Sequence, residues 1–342
     1  MRSRLLPWLT VLPMAAAAVC CAPSVEDNPP EPPDPDERFF GAEPCPAPPE
    51  GVAIEESAAF TAGGAPRPLL VLMGGGPEVD SAAIRFAEAA QGGDLLVLRA
   101  TGSTSSYTSW FAEELALEPR PGAVATVLIE DPGAGADDAV LCRVARADAL
   151  WLAGGDQRDY LLGWPAALHQ SFARAIARGV AVGGTSAGAM SLSEHAFDAA
   201  FDSVDSANAM AAPLDDVVSL SPSPLAAPAL AGFLVDTHFD ARARLGRLVT
   251  FLARAAHDGT SVTGLGLDEE TALVIADGRV EVSGAADAWL VSLDEAPLLA
   301  EGVALDALAH VAPLSRQSAW PPLVGAEAPG ARAFVVVDGV AQ

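Results

Sequence analysis

From Arg67 onward the chain alternates short apolar runs that end in glycine or a polar turn with stretches of helical period. That alternation is the feature that most narrows the possible folds. Runs of four to six apolar residues, too continuous for a strand with one wet face, belong to strands covered on both sides, and the intervening helices supply the cover. The clearest runs are 69–73, 95–98, 124–129, 149–152 and 180–183, and a parallel sheet is the expected outcome. Asp80 or Ser81 can cap a helix running to about Gln91, and Ser171 can start another that holds Phe172 and Ile176. Later runs at 263–267, 272–275, 280–282 and 289–291, two of them joined by Asp277-Gly278, read as antiparallel strands that extend the same sheet. The expected fold class is therefore α/β, a three-layer sandwich around a mostly parallel sheet.

The segments before the first strand are of another kind. Arg2 and Arg4 followed by an apolar run to Val19 have the layout of a secretory signal over residues 1–22, and the run is too short for a good membrane span. Cys20 and Cys21 stand where a lipoprotein is cleaved and acylated, so lipid attachment and plain cleavage near Ala22 are both open. Residues 23–60 are expected to be a linker, because their Pro, Glu and Asp content, with Pro-Pro-Glu-Pro-Pro-Asp-Pro at 29–35, cannot build a core. Residues 61–342 then form the folded domain. Export would place the chain in the periplasm, on the outer membrane or outside the cell, where Cys45 and Cys142 could join in a disulfide. All 19 basic residues are arginine, and against 45 acidic ones they leave a net charge of -26, which argues against nucleic acid or an anionic membrane as partner. No Cys or His pair has metal-ligand spacing.

The chemistry concentrates at 180–190, Val-Ala-Val-Gly-Gly-Thr-Ser-Ala-Gly-Ala-Met. An apolar strand runs into Gly184-Thr185-Ser186-Ala187-Gly188, a G-x-S-x-G elbow in the strand-to-helix setting that the motif needs. The serine oxygen is lifted out of the sheet, and the N–H of Ala187 is directed to where an oxyanion would form. A serine of ordinary acidity needs a base. His238 is the best placed of five histidines, since it follows the apolar run 230–235 and so lies at the carboxyl end of a strand, where functional groups of open α/β sheets gather. His169, His195, His257 and His310 lie in helix-like or loop sequence.

Gly-Thr-Ser-Ala-Gly-Ala, then Asp-x-His-Phe-x-x-Arg-x-Arg, the earlier Gly-Gly-Asp-Gln at 154–157, Leu-Val-Leu-Met-Gly-Gly-Gly at 70–76 and Leu-Gly-Leu-Asp-Glu-Glu-Thr-Ala-Leu at 265–273 together resemble the cyanophycinases, serine peptidases related to aspartyl dipeptidases. The resemblance spans roughly residues 67–295. It implies a fold similar to class I glutamine amidotransferases, flavodoxin-like in layout, and members that often form dimers. It also implies Ser186 as nucleophile and His238 as general base, with Gly155 or Asp156 joining Ala187 in the oxyanion hole and Gln157 in the substrate pocket. Asp236, Thr237, Arg242, Arg244 and Arg247 match positions around that pocket. On a helix His238 and Arg242 would share a face, and a guanidinium there suits a substrate carboxylate. Arg244, two positions on, cannot face the same way, so at least one arginine is expected to pair with Asp236 or Asp240. Thr237 stands where cyanophycinases proper have Gln, which leaves α-aspartyl and isoaspartyl peptides open beside cyanophycin itself.

For the third member of the triad the resemblance points to Asn208, with Asp205 or Asp202 as carboxylate alternatives. An amide there would stabilise an imidazolium poorly and would leave room for a binding protein of the same fold that no longer turns over. Otherwise the expected activity is hydrolysis of a β-aspartyl peptide bond through an acyl-enzyme, with no cofactor.

Overall fold

Helices pack on both faces of the largest sheet, and the strands of a second sheet are interleaved with its own along the chain. The structure, a computed structural model, describes residues 34–41, 43–61 and 64–342; the signal, lipid-site and early linker expectations lie outside them. The main sheet collects β1 (Val52–Glu56), β2 (Leu70–Met73), β3 (Leu95–Arg99), β4 (Val124–Ile129), β5 (Ala149–Leu152) and β6 (Ala181–Thr185). Beyond β7 (His195–Phe197), β8 (Leu220–Pro222), β9 (Phe233–Asp236) and β10 (Thr263–Leu267), it resumes with β11 (Thr271–Ala276) and β12 (Arg279–Gly284). After β13 (Ala288–Leu293) and β14 (Ala307–Pro313), β15 (Gln317–Ala319) closes its far edge, in the order β1-β4-β3-β5-β6-β2-β11-β12-β15. The pairs β4-β3, β3-β5, β5-β6 and β6-β2 are parallel, and antiparallel strands flank this five-stranded centre.

Helices α1 (Asp80–Ala89), α2 (Ser105–Ser109), α3 (Asp138–Arg146) and α4 (Ala166–Ala177) cover the sheet. On one face Leu96, Leu98, Leu150, Leu152 and Val182 meet Val140 and Val144 of α3 and Leu168 and Phe172 of α4. On the other, Val71, Leu95, Val97 and Trp151 meet Phe86 of α1 and Phe111, with the Phe86 and Trp151 rings edge-on at 5.0 Å. The alternation of side chains along each strand divides one apolar run between two cores, which explains why these runs read as continuous. The turn at Asp277-Gly278 has both residues at positive φ, 50° and 67°, as a tight two-residue hairpin requires.

Three sequence expectations need correction. The antiparallel extension is split: β11 and β12 extend the main sheet, whereas β10 and β13 join a second, six-stranded sheet in the order β17-β16-β14-β13-β10-β9, with β16 at Arg332–Val337 and β17 at Val340–Ala341. Leu248, Phe251 and Leu252 of a later helix give this sheet its own core with Val291, Val311 and Val336. Ser171 lies inside α4 instead of starting it; its hydroxyl donates to buried Asp36, which also receives two bonds from Arg174. Asp80 is the first residue of α1, and neither it nor Ser81 is the cap, a position held by Val79.

The linker is also shorter than its composition suggested. Asp36–Gln342 form one unit, and β1 pairs antiparallel with β4 from Val52–Ile129 to Glu56–Ala125. A disulfide ties Cys45 to Cys142 of α3, and Arg146 of the same helix donates to the carbonyls of Phe39, Gly41, Glu43 and Phe60. A proline-rich strap too polar for a core of its own is thus held by a guanidinium, an ion pair and a covalent bond.

Candidate active site

The parallel strands β5, β6 and β2 lie side by side, and their carboxyl ends carry the loops that build the site. Ser186 is the residue between β6 and α5 (Ala187–Ser191), with φ 52° and ψ -122°. A side chain at such a positive φ stores strain of about 1–3 kcal/mol. The flanking glycines allow the bend: a Cβ on Gly188 would sit 2.1 Å from the carbonyl oxygen of Leu152, and one on Gly184 would sit 2.8 Å from the carbonyl carbon of Gly188. The turn is also held by Ser186 N–H donating to Met73 O at 3.0 Å.

His238 lies two residues past β9. Its N–H donates to Gly74 O at 2.8 Å, and its ring covers Gly75, where any Cβ would fall 2.4 Å from the imidazole. Gly75, at φ 92°, therefore clears space for the base. His238 itself is at φ 49°, so the segment is a turn and not the helix expected for His238 and Arg242; α7 begins only at Leu245 and runs to His257.

Ser186 Oγ and His238 Nε2 are 2.7 Å apart, and His238 Nδ1 is 2.6 Å from Glu269 Oε1. The carboxylate can only accept, so Nδ1 carries the proton and the Nε2 lone pair faces the serine hydroxyl. Burial lowers the His238 pKa, helped by the charges of Arg242 and Arg244 and opposed by the bond to Glu269. The ring is thereby kept neutral and able to take a proton at pH 7.

Glu269 was missed by sequence reasoning, although it lies in the Leu265–Leu273 motif. The available signal was its place just past β10, which pairs in parallel with β9, so the loop after one strand meets the loop after the other. The residues expected in its place are elsewhere. Asp205 caps α6 (Ser206–Ala211) and accepts both the N–H and the side-chain amide of Asn208, at 2.8 and 2.9 Å. Asp202 lines the cleft beside Ser186. None of the three hydrogen-bonds to His238; a helix cap satisfies Asp205 and Asn208 locally.

The cleft, about 340 Å³, is lined on one wall by Gly155, Asp156, Gln157 and Arg158 and on the others by Ser186, Ala187, Phe201, Asp202 and the arginines at 242, 244 and 247. Ala187 is the first residue of α5, so its N–H has no acceptor within the helix. Opposite it, the hydroxyl of buried Tyr160 donates to the carbonyls of Ala153 and Gly154 at 2.9 and 3.3 Å. In a trans peptide the N–H of Gly155 then points away from Tyr160. The Asp156 carboxylate accepts the backbone N–H of Arg158 at 2.9 Å and tightens that turn.

Asp236 and Thr237 are not pocket residues, since both are fully buried. The Asp236 carboxylate takes two bonds from Arg247, Nε at 2.8 Å and Nη2 at 2.5 Å, and a longer one of 3.5 Å from Arg244. Arg244 also donates to Thr237 O at 2.8 Å, and burial lowers its pKa to about 10, which leaves it charged at neutral pH. Arg247 is 1% exposed, donates to Val204 O and has the rings of Phe197 and Phe251 at 5.4 and 5.5 Å. A fully buried carboxylate paired with guanidinium groups is a structural device here, as the expected ion pairing with Asp236 anticipated. Arg242 alone of the three is exposed, and its guanidinium has no ion pair among the described residues.

Residues 131–283 match the model of peptidase family S51, a stretch that contains Ser186, His238 and Glu269. Solved structures similar to this chain include two peptidases. A peptidase from an acI-B1 Actinobacterium has 19% identity and a TM-score of 0.45 over 65% of this chain and 89% of that one. A peptidase E candidate from Listeria monocytogenes EGD-e has 17% identity and a TM-score of 0.39 over 64% and 99%. No similar sequence is found among curated proteins.

Proposed function

We propose that this chain, whose residues 131–283 match the model of peptidase family S51, is a serine-type peptidase that cleaves aspartyl peptides of the cyanophycin type and releases β-aspartyl dipeptides. Ser186 Oγ attacks the amide carbonyl while His238 Nε2 takes its proton, and Glu269 stabilises the resulting imidazolium. The N–H groups of Ala187 and Gly155 receive the oxyanion. His238 then protonates the leaving amine, an acyl-enzyme remains on Ser186, and water activated by the same ring releases the acid.

One observation carries the substrate class: the cleft beside the nucleophile is lined by four arginines in a chain of net charge -26. Such a local reversal of sign favours an anionic ligand, and a guanidinium holds a carboxylate by two parallel bonds. Arg242 is the residue we assign to that contact. Thr237 favours no polymer contact of its own, being buried, so short α-aspartyl and isoaspartyl dipeptides are the second reading. A binding protein without turnover loses its basis, because it rested on an amide at the position that Glu269 fills. Export fits the Cys45–Cys142 bond, which needs an oxidising compartment to persist.

The test is to incubate purified protein with insoluble cyanophycin, with α-Asp-X dipeptides and with isoaspartyl dipeptides, using Ser186→Ala as control. Soluble dipeptide released from the polymer by the wild type alone supports the proposal. Cleavage restricted to free dipeptides would move the assignment to the second reading.

A further inference from the structure

Two of the four arginines in the cleft are committed to Asp236, and the other two are not. Both line the cleft: Arg158 lies in the helical segment after β5, three residues past Gly155, and Arg242 lies on the turn after β9, four residues past His238. Both side chains are exposed, and neither guanidinium makes a hydrogen bond or ion pair among the described residues. The two aspartates that line the cleft are engaged by their own turns. Asp156 accepts the N–H of Arg158 at 2.9 Å, and Asp202 accepts that of Ser203 at 2.7 Å. Asp159 feels the charge of Arg158 but makes no ion pair with it among the described residues.

We propose that Arg158 is a specificity-determining residue that holds one substrate carboxylate while Arg242 holds another, so that the cleft selects peptides with two separate free carboxylates near the scissile amide. This rests on the peptidase reading of the same cleft and narrows it. A single carboxylate can use one guanidinium fork, and a second fork in the same cleft that makes no ion pair among the described residues is open to another carboxylate. The strongly acidic surface elsewhere repels a dianion, so its capture depends on these two groups together.

The experiment compares an aspartyl dipeptide whose two carboxylates are free with its two mono-amides, in which one or the other carboxylate is blocked. Wild type, Arg158→Gln, Arg158→Lys and Arg242→Gln are measured on all three. Each amidation is expected to lower kcat/KM roughly tenfold to a hundredfold, the range for a hydrogen bond to a charged group. R158Q is expected to cost as much on the diacid, chiefly in KM, to cost nothing further on one mono-amide, and to keep its full effect on the other. R242Q is expected to show the opposite pattern, with R158K retaining part of the wild-type preference. An equal loss from R158Q on all three substrates, or no loss on any, overturns the proposal. Calorimetric binding of the diacid and both mono-amides to Ser186→Ala, with and without R158Q, reads the same pairing without turnover. Should the wild type cleave nothing while that binding pattern holds, the peptidase reading falls and the two-carboxylate site stands.

Discussion

Glu269 decides how well the serine works, because the imidazolium formed during attack has no other carboxylate in hydrogen-bond contact with it among the described residues. Glu269→Gln keeps the shape but lets the amide donate to Nδ1, which favours the wrong tautomer, and kcat should fall by about three to four orders of magnitude. Single-turnover kinetics on an activated aspartyl substrate would show this, and a loss under tenfold would exclude Glu269 from the triad. The pH profile follows from the direction of the His238 shift. Its pKa is lowered, so the neutral base is present at pH 7 and is lost only as the pH falls through a value below the ordinary 6.5. Activity should accordingly persist into mildly acidic solution. Removing the arginine charge at 242 should move the acidic limb of kcat/KM upward, because that charge opposes protonation of the ring. At this scale the sequence was most legible where sterics leave few choices, as at Ser186 between its glycines. It was least legible for Glu269, which lies 31 residues beyond His238 and is brought there only by strand pairing.

Among the elements, the register of β9 against β10 does the positioning, with Val235 opposite Leu265 and Asp236 opposite Gly266. Asp236 then ties the end of β9 to α7 through Arg247. Asp236→Asn should leave a fully buried guanidinium without its counter-charge and cost about 3–5 kcal/mol in urea unfolding. The double change Asp236→Leu, Arg247→Met should recover part of that loss, since the most deeply buried pair is then removed and only Arg244 is left without its carboxylate. Activity should stay low in both, because the turn that presents His238 is no longer held. The parallel strands were readable from their apolar runs, but the division of the later strands between two sheets was not. An antiparallel pattern names the strand and leaves its partner open: β10 and β11 are separated by three residues and belong to different sheets.

For the whole molecule, the amino-terminal strap is the part that composition misrepresented. Proline and acidic residues read as a linker, whereas Asp36, Arg146 and Cys45 bind that stretch to α3 and α4. The Cys45–Cys142 link spans 97 residues, so its removal should cost about 2–5 kcal/mol. The Cys45→Ser, Cys142→Ser protein should melt several degrees lower by calorimetry and keep its kcat at 25 °C, because neither cysteine lines the cleft. An unchanged melting temperature would mean that the strap is held by its polar contacts alone.

The nucleophile comes from one sheet and its base from the other, with only short turns between them. Catalysis therefore works as a gauge of how those two slabs are aligned: a slip of about an ångström at their seam would separate oxygen from imidazole and cost roughly a hundredfold in rate while both cores stayed intact. On slow heating, turnover should fade before tryptophan fluorescence changes, and a compound wedged at the seam would silence the enzyme without entering its cleft.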